Sequence, residues 1–580
     1  MLKKLVDTTE KHGDAVADLC SSSSRLTWDT ETEGLDWNRD KVCSVQVLAD
    51  NSDTVYYFPF RHKEGVNLPE GLLLDLYDRV LVPEREQVGH NLGFDAKTSK
   101  KDGYRLANEG CYHDTLLDAH LLNENEPSFK LENLAERYVA PGADAAEETL
   151  LDLLLERFGG SRKRAKGNLH RLSAEDCLDY GCADVWHTRA LHRFHQPHLD
   201  SWKLREVSEG VANYQRLLVQ LEQRGLLLDN EERERLSAEA REKKEETLGE
   251  LQALCDYEGF NPRSVPQVKA LLGTPDTKAE TLERLVESKG KNWQKAELVL
   301  RFRGWDKVGN TYYDRFPDFS YEGYLYPNLS VTGTYTGRLS CSKPNLQSIP
   351  RYNEVYKVKD CFVAPEGYEL VEGDYSQAEI RVATHYAQDE AMREVILSGL
   401  NMHDVVAKQL GVPRFVAKTM NFSVIYGIGP RTYSKTYNVP FSQAKKFLGK
   451  YHDGYPGFRR LYNAADHTAS TTGFIRLFTG RVRHFNSVRA PTHKASSNLV
   501  QGSVAELMRV TTLRLAREVP EFLPVLQVHD SLLGLVKKGE TDKVIPRVRE
   551  VMEDQPWCSL PLTVDFKRGT RWGQLKEVKQ

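Results

Sequence analysis

No run of about 18 apolar residues occurs anywhere in the sequence, which excludes a helical membrane span. Cysteine is sparse and never paired as CxxC. The nine present fit neither a zinc ribbon nor a disulfide framework, so a reducing, cytoplasmic setting is expected. The opening Met1-Leu2-Lys3-Lys4-Leu5 turns charged before a signal-peptide core could form. An excess of positive charge is also missing. Lys and Arg number 79 against 83 Asp and Glu, so any contact with a polyanion has to be built locally. Arg162, Lys163, Arg164 and Lys166 do cluster, but such a run taken alone reads as a solvated loop. There is no internal repeat. What remains is an ordinary globular mixture, 40% hydrophobic and 28% charged, in a chain of 580 residues, too long for a single hydrophobic core.

Residues 1–24 end in four serines and read as a frayed lead-in. From 25 to about 200, strand-like runs (Leu26–Asp29, Val42–Leu48, Thr54–Phe58) alternate with helical stretches, an α/β pattern. Pro141-Gly142 and Gly159-Gly160 mark a long connection near its middle. Residues 206–315 are helical and highly charged, most clearly over 231–255, and read as a solvated helical arm. Strands and helices mix again from 320 to the end, so the whole is expected to be α/β with mixed α+β character.

Chemistry enters at Trp28-Asp29-Thr30-Glu31. Alternation along a strand puts Asp29 and Glu31 on one face. Two adjacent carboxylates raise each other's pKa unless a cation neutralises them, and Mg²⁺ is the natural partner. Gly89-His90-Asn91-Leu92-Gly93-Phe94-Asp95 supplies a third carboxylate, and Tyr180-Gly-Cys-Ala-Asp184 a fourth, with Tyr180 one helical turn from Asp184. Four acids and a tyrosine at element ends are what a two-metal phosphodiesterase requires, its ions about 4 Å apart. The three segments in this order resemble the DEDD exonucleases of the tyrosine-containing subclass. The resemblance implies that Asp29, Glu31, Asp95 and Asp184 hold two metals and that Tyr180 orients the attacking water. It also implies that Leu35 and Phe94 pack on the terminal nucleotide.

Further along, Leu370-Val-Glu-Gly-Asp374-Tyr-Ser-Gln-Ala-Glu379 runs an apolar strand into a polar helix start. Leu526-Gln-Val-His529-Asp530-Ser531-Leu reads as strand, tight turn, strand, with a His-Asp tip that packing does not require. Between them, Arg414, Lys418, Phe422 and Tyr426 recur every four residues and form one stripe, cationic at its start and aromatic at its end. Such a surface suits a triphosphate at one end and a base and sugar at the other.

Together these segments resemble motifs A, B and C of the family A (DNA polymerase I type) DNA polymerases. Thr336-Gly337-Arg338-Leu339-Ser340 and Pro344-Asn345-Leu346-Gln347 match a further primer–template segment of that family. The resemblance implies a ribonuclease H-like 3′→5′ exonuclease domain at 25–204, followed by a right-hand polymerase domain at 205–580. Within the latter the thumb is expected at about 206–315, the palm at about 320–400 and 485–580, and the fingers at about 401–484. Asp374 and Asp530 would bind two Mg²⁺, with Mn²⁺ able to substitute. Arg414 and Lys418 would hold the incoming triphosphate, Phe422 and Tyr426 would line its pocket, and Glu379 would exclude a 2′-hydroxyl. Gln377, Arg381, Arg338, His403, Gln501 and His529 match lesser pocket or primer–template positions. The implied partners are primer–template DNA and deoxynucleoside triphosphates, met by a monomer without a membrane, in a compact proofreading polymerase of bacteriophage type that serves DNA replication.

Two departures stand out. Ser531 occupies a place where the family commonly has Glu. Ser497 stands where it usually has Asn, with Asn498 one residue later as a candidate for the minor groove.

Overall fold

The computed structural model describes residues 1–353, 355–412, 414–437, 439–486 and 490–579, apart from the side chains of Phe415, Val416, Thr419 and Phe422. The first third is built on a six-stranded sheet. Its spatial order is Leu2–Leu5, Thr54–Pro59, Val42–Ala49, Arg25–Thr32, Glu86–Gly89, Tyr112–Asp114. Both faces are buried, because alternate residues of each strand feed different cores. Val45, Val47, Tyr56 and Phe58 join one cluster, whereas Cys43, Leu48, Val55 and Tyr57 join the other.

Residues 1–24 depart from the expected lead-in. Leu2–Leu5 pairs in parallel with Thr54–Tyr57, and Thr9–Ser21 forms a helix capped by Thr8, whose side chain accepts from the Lys11 amide. His12, Ala15, Val16 and Leu19 lie along its buried side. The spacing of that buried stripe carries the helix, and the four serines lie only at its end.

A 20-residue helix, Arg205–Arg224, links this unit to the rest. Ala212 and Val219 pack into the sheet core, while Val207, Val211, Tyr214, Leu218 and Leu221 pack into the core beyond. Residues 230–307 follow as helices, of which Asn230–Cys255 and Trp293–Lys307 are the longest. They enclose a small core around Leu251, Val268, Leu282 and Val299, so the charged segment is more than a solvated arm.

A second sheet of five antiparallel strands comes next. Its order is Leu523–Val528, Ser531–Lys537, Tyr368–Tyr375, Val564–Gly569, Lys576–Glu577. The helices Ala378–Ala387, Ala495–Glu518 and Thr541–Glu553 share its core, which continues into the helical segment 402–472.

Candidate active sites

The strand Arg25–Thr32 sinks Leu26 and Trp28 into the core and turns Asp29 and Glu31 to the other face, as its alternation requires. The 28-residue helix Ala174–Ser201, capped by Ser173, brings Asp184 to the same place. One oxygen from each of Asp29, Glu31 and Asp184 lies within 4.8 Å of the others. Glu31 Oε1 is buried without a hydrogen-bond partner among the described residues. Burial pushes both Asp29 and Glu31 well above the usual carboxylate range. For Asp29 the neighbouring charge of Asp95 adds to this, and for Glu31 that of Asp184. Asp184 is lifted to about 7, again by burial. A tight all-oxygen donor set with an orphaned oxygen and disfavoured negative charge fits a hard divalent cation.

Asp95 stands slightly apart, next to Asp29. Its Oδ1 accepts from the Thr30 amide at 3.1 Å and the Thr30 hydroxyl at 2.6 Å, and burial raises its pKa to about 7. The turn before it is held by Asp114, a residue the sequence reading passed over. The Asp114 carboxylate accepts from the Asn91 and Leu92 amides at 3.0 and 2.9 Å and caps the helix Thr115–Leu122 through Leu116. An Asp before Thr-Leu-Leu carries the N-cap signature that could have revealed it. Tyr180 is buried and faces Asp184. Leu35 is 80% exposed, and Phe94 is half-buried.

In the second sheet, Asp374 lies on the central strand, paired with Ser531 on one side and Asp565 on the other. Val528 pairs with Ser531, so His529 and Asp530 form a two-residue hairpin tip. His529 sits there at φ 54°, a left-handed conformation that costs a non-glycine residue about 1–2 kcal/mol. The Asp530 carbonyl accepts from the Tyr375 amide at 3.2 Å, which ties the tip to the end of the central strand. Asp374 is raised to about 7, first by its enclosure and then by the charges of Asp530, Glu372 and Asp565. Asp530 is raised as well, by burial. Negative charge is crowded at Asp374, whereas His529, Arg338 and Arg351 place positive charge beside Asp530. Ser531 is buried and donates to the Val528 carbonyl at 3.0 Å, so it serves the hairpin turn.

A cavity of about 270 Å³ opens beside the hairpin tip, lined among others by Arg338, Gln377, Glu379, Tyr426, His529 and Asp530. Glu379 is clamped on both oxygens, by the Arg338 guanidinium on one and the Tyr426 hydroxyl on the other. Gln377, like His529, has a positive φ of 54°. The helix Arg414–Ile425 ends one residue short of Tyr426, which follows in a turn completed by Gly427 at φ 71°. Arg414 is exposed and paired with Asp404 at 2.7 Å, and Lys418 is half-buried. The Phe422 side chain lies outside the described residues. Gln501 is half-buried, one helical turn before the cavity-lining Val504.

Three of the expected residues are engaged by other partners. His403 is buried and bonded to Asn421 at 2.9 Å, away from the cavity lining. Arg381 spends its guanidinium on the Ser376 and Pro561 carbonyls at 2.9 and 2.7 Å. Asn498 is buried, donating to the Lys494 carbonyl at 2.7 Å and accepting from Arg483 at 3.2 Å. Spacing alone carries no information on these pairings.

A carboxylate cluster on the first sheet, and on the second sheet two aspartates of which Asp530 lines a polar cavity, mark an α/β chain with two candidate sites. Residues 230–574 match DNA polymerase family A, and the chain belongs to that family. It is 25% identical over 602 residues to DNA polymerase I of Pseudomonas aeruginosa, an alignment covering 95% of this chain and 63% of that protein. To DNA polymerase I of Synechocystis it is 25% identical over 628 residues, 99% of this chain and 62% of the relative. The thermostable DNA polymerase I of Thermus filiformis is 30% identical over 412 residues, 65% of this chain and 49% of the relative. The chain thus spans about three fifths of the length of the first two relatives. The solved POL domain of Pol1 from M. smegmatis, a complex with DNA primer-template and dNTP, has the same fold. Its TM-score is 0.79 at 23% identity, over 99% of this chain and 100% of that one. No helix among the described residues is long and apolar enough to cross a membrane.

Proposed function

We propose that the chain is a template-directed DNA polymerase that extends a primer with deoxynucleoside triphosphates and proofreads with a 3′→5′ exonuclease. The observation that carries the reading is the cavity at the hairpin tip. There Asp530, His529, Gln377, Glu379, Tyr426 and Arg338 converge within the stretch that matches family A. In this reading the exonuclease unit extends through residue 204 and takes in residues 1–24, and the polymerase domain follows with thumb, palm and fingers as given above.

Asp374 and Asp530 would hold two Mg²⁺ ions, and Asp29, Glu31, Asp95 and Asp184 another two. Bound there, such ions make an attacking oxygen nucleophilic and stabilise the charge of the leaving group. The chain's own residues do the rest. Arg414 and Lys418, on one helix face, receive the triphosphate as charged donors. Arg338 and Tyr426 fix Glu379 against the sugar, where its carboxylate crowds a 2′-hydroxyl. At the other centre Tyr180 orients water, while Leu35 offers an apolar surface to the terminal base. The replicative role and a bacteriophage source belong to the same reading of the motifs; the relatives named above are bacterial.

Primer extension on a 5′-labelled primer–template, with and without Mg²⁺, tests the polymerase half. Shortening of a single-stranded 3′ end without nucleotides tests the exonuclease half. Extension that is absent in Mg²⁺ and in Mn²⁺ would reject the first, and an intact single strand the second.

A further inference from the structure

Three cations of the basic run 162–166 behave as a solvated surface: Arg162 pairs outward with Glu148 and Asp152, and Lys163 and Arg164 are exposed. Lys166 does not. It begins the 3₁₀ turn Lys166–Arg171, between Ala165 and Leu169, each 2% exposed and locked into the core under the first sheet. These two anchors fix where Lys166 projects. Its Nζ donates to the Tyr180 hydroxyl at 3.0 Å and lies 4.7 Å from the centre of that ring. Glu147 holds it from the other side at 2.5 Å. Its charge is felt at Asp29, Glu31 and Asp184.

We propose that Lys166 is a positioning residue of the exonuclease centre, one that fixes the Tyr180 hydroxyl and presents a cation to the carboxylates. The proposal rests on the exonuclease reading above. An ammonium donating to a phenol oxygen occupies a lone pair on that oxygen and leaves the O–H to turn toward Asp184 or a water beside it. Contact with the ring face holds the cation in place. Glu147, Lys166 and Tyr180 form a brace from the helix Ala145–Phe158 to the helix Ala174–Ser201.

The test uses the full chain with Lys166→Met, Lys166→Arg and Tyr180→Phe, scored on a 5′-labelled single-stranded oligonucleotide in Mg²⁺. Lys166→Met should lose about 10–100-fold in kcat, the range for residues that orient a metal centre from outside it, with KM within about twofold. Lys166→Arg should recover most of that loss. Adding Lys166→Met to Tyr180→Phe should cost less than about threefold more, because the lysine acts through the tyrosine. Mn²⁺ titration followed by electron paramagnetic resonance gives a second readout. With a competing cation removed, Lys166→Met should bind Mn²⁺ severalfold more tightly. Primer extension by every variant should match the parent and so report an intact fold. Parental kcat with parental Mn²⁺ affinity in Lys166→Met would overturn the proposal, as would a full additional loss in the Tyr180→Phe background. A parent chain that leaves the oligonucleotide whole would instead remove the exonuclease reading, and this proposal with it.

Discussion

Glu506 on the helix Ala495–Glu518, two residues beyond the cavity-lining Val504, is a carboxylate on which the packing of that helix depends. It is 1% exposed and takes Arg481 at 3.2 Å, Arg509 at 2.6 Å and the Thr479 hydroxyl at 2.7 Å, both arginines being buried too. Those guanidiniums lie where side chains would otherwise be. A Cβ on Gly337 would meet Arg481 at 2.7 Å, and one on Gly210 would meet Arg509 at 2.4 Å. Burial alone would raise the Glu506 pKa, but Arg509 and Arg481 outweigh it and hold the group at about 2. Against an ordinary value of 4.5, that corresponds to about 3 kcal/mol favouring the ionised form in the folded chain. Glu506→Gln keeps the shape and removes the charge, leaving two buried arginines facing each other. Loss of one partner of a buried ion pair costs about 3–5 kcal/mol. Urea unfolding at pH 7, followed by intrinsic fluorescence, should therefore show the variant destabilised by about 3 kcal/mol. The pH dependence has a definite sign. A depressed carboxylate pKa contributes stability that is complete above 4.5 and is lost as pH falls from there toward 2. By pH 3 the parent should have lost about 2 kcal/mol through this group, which the variant, already without it, cannot lose. The gap between the two should narrow accordingly on acidification. Coincident unfolding curves at pH 7, or a gap that stays constant down to pH 3, would refute the reasoning.

Other expectations are as direct. Asp29→Ala with Glu31→Ala should abolish shortening of a single-stranded 3′ end while primer extension stays near the parent rate; equal collapse of both in a folded variant would mean the centres are not independent. Glu379→Ala removes the carboxylate that Arg338 and Tyr426 clamp, and should lower discrimination against ribonucleotides by about tenfold or more, read as the ratio of kcat/KM values for the two sugars. Asp95 and Asp184, lifted from an ordinary 3.8 to about 7, disfavour the metal-free fold increasingly as pH rises from about 4 to 7, and fully above that. Added Mg²⁺ should therefore raise the unfolding temperature more at pH 8 than at pH 6, and an equal rise at both would count against these carboxylates as the ligands.

The carboxylates were legible because each sits at the end of a periodic element, and period 2 or 3.6 fixes the face it occupies. Asp29 with Glu31, Tyr180 with Asp184, and the His529-Asp530 tip were readable on that ground. Side chains that serve by bonding across long sequence distances were not. Asp114 holds the turn before Asp95, Glu506 meets Arg481, and Arg338 reaches Glu379 over 41 residues, pairings on which no local period bears. The buried hydrogen bonds of His403 to Asn421 and of Asn498 to Lys494 were not readable for the same reason, since hydrogen-bonding residues near a motif can face the core as readily as a groove. Residues 1–24 were underrated because a four-residue strand becomes a strand only through its partner at Thr54–Tyr57.

The helix Arg205–Arg224 belongs to two cores at once, and its Glu222 is buried in a pair with Lys97 at 2.9 Å, two residues from Asp95. The same carboxylate accepts from the Leu329 amide at 2.6 Å. A cut at residue 204 would leave Ala212 and Val219 without the sheet they cover and Glu222 without its buried cation. The two halves are therefore poor candidates for exchange as cassettes: a foreign exonuclease grafted here must also match one side of this helix. On the exonuclease reading proposed above, a lineage that gives up proofreading is expected to do so by substitution at residues such as 29, 31, 95 or 184, which leaves the shared helix covered, rather than by shedding the unit.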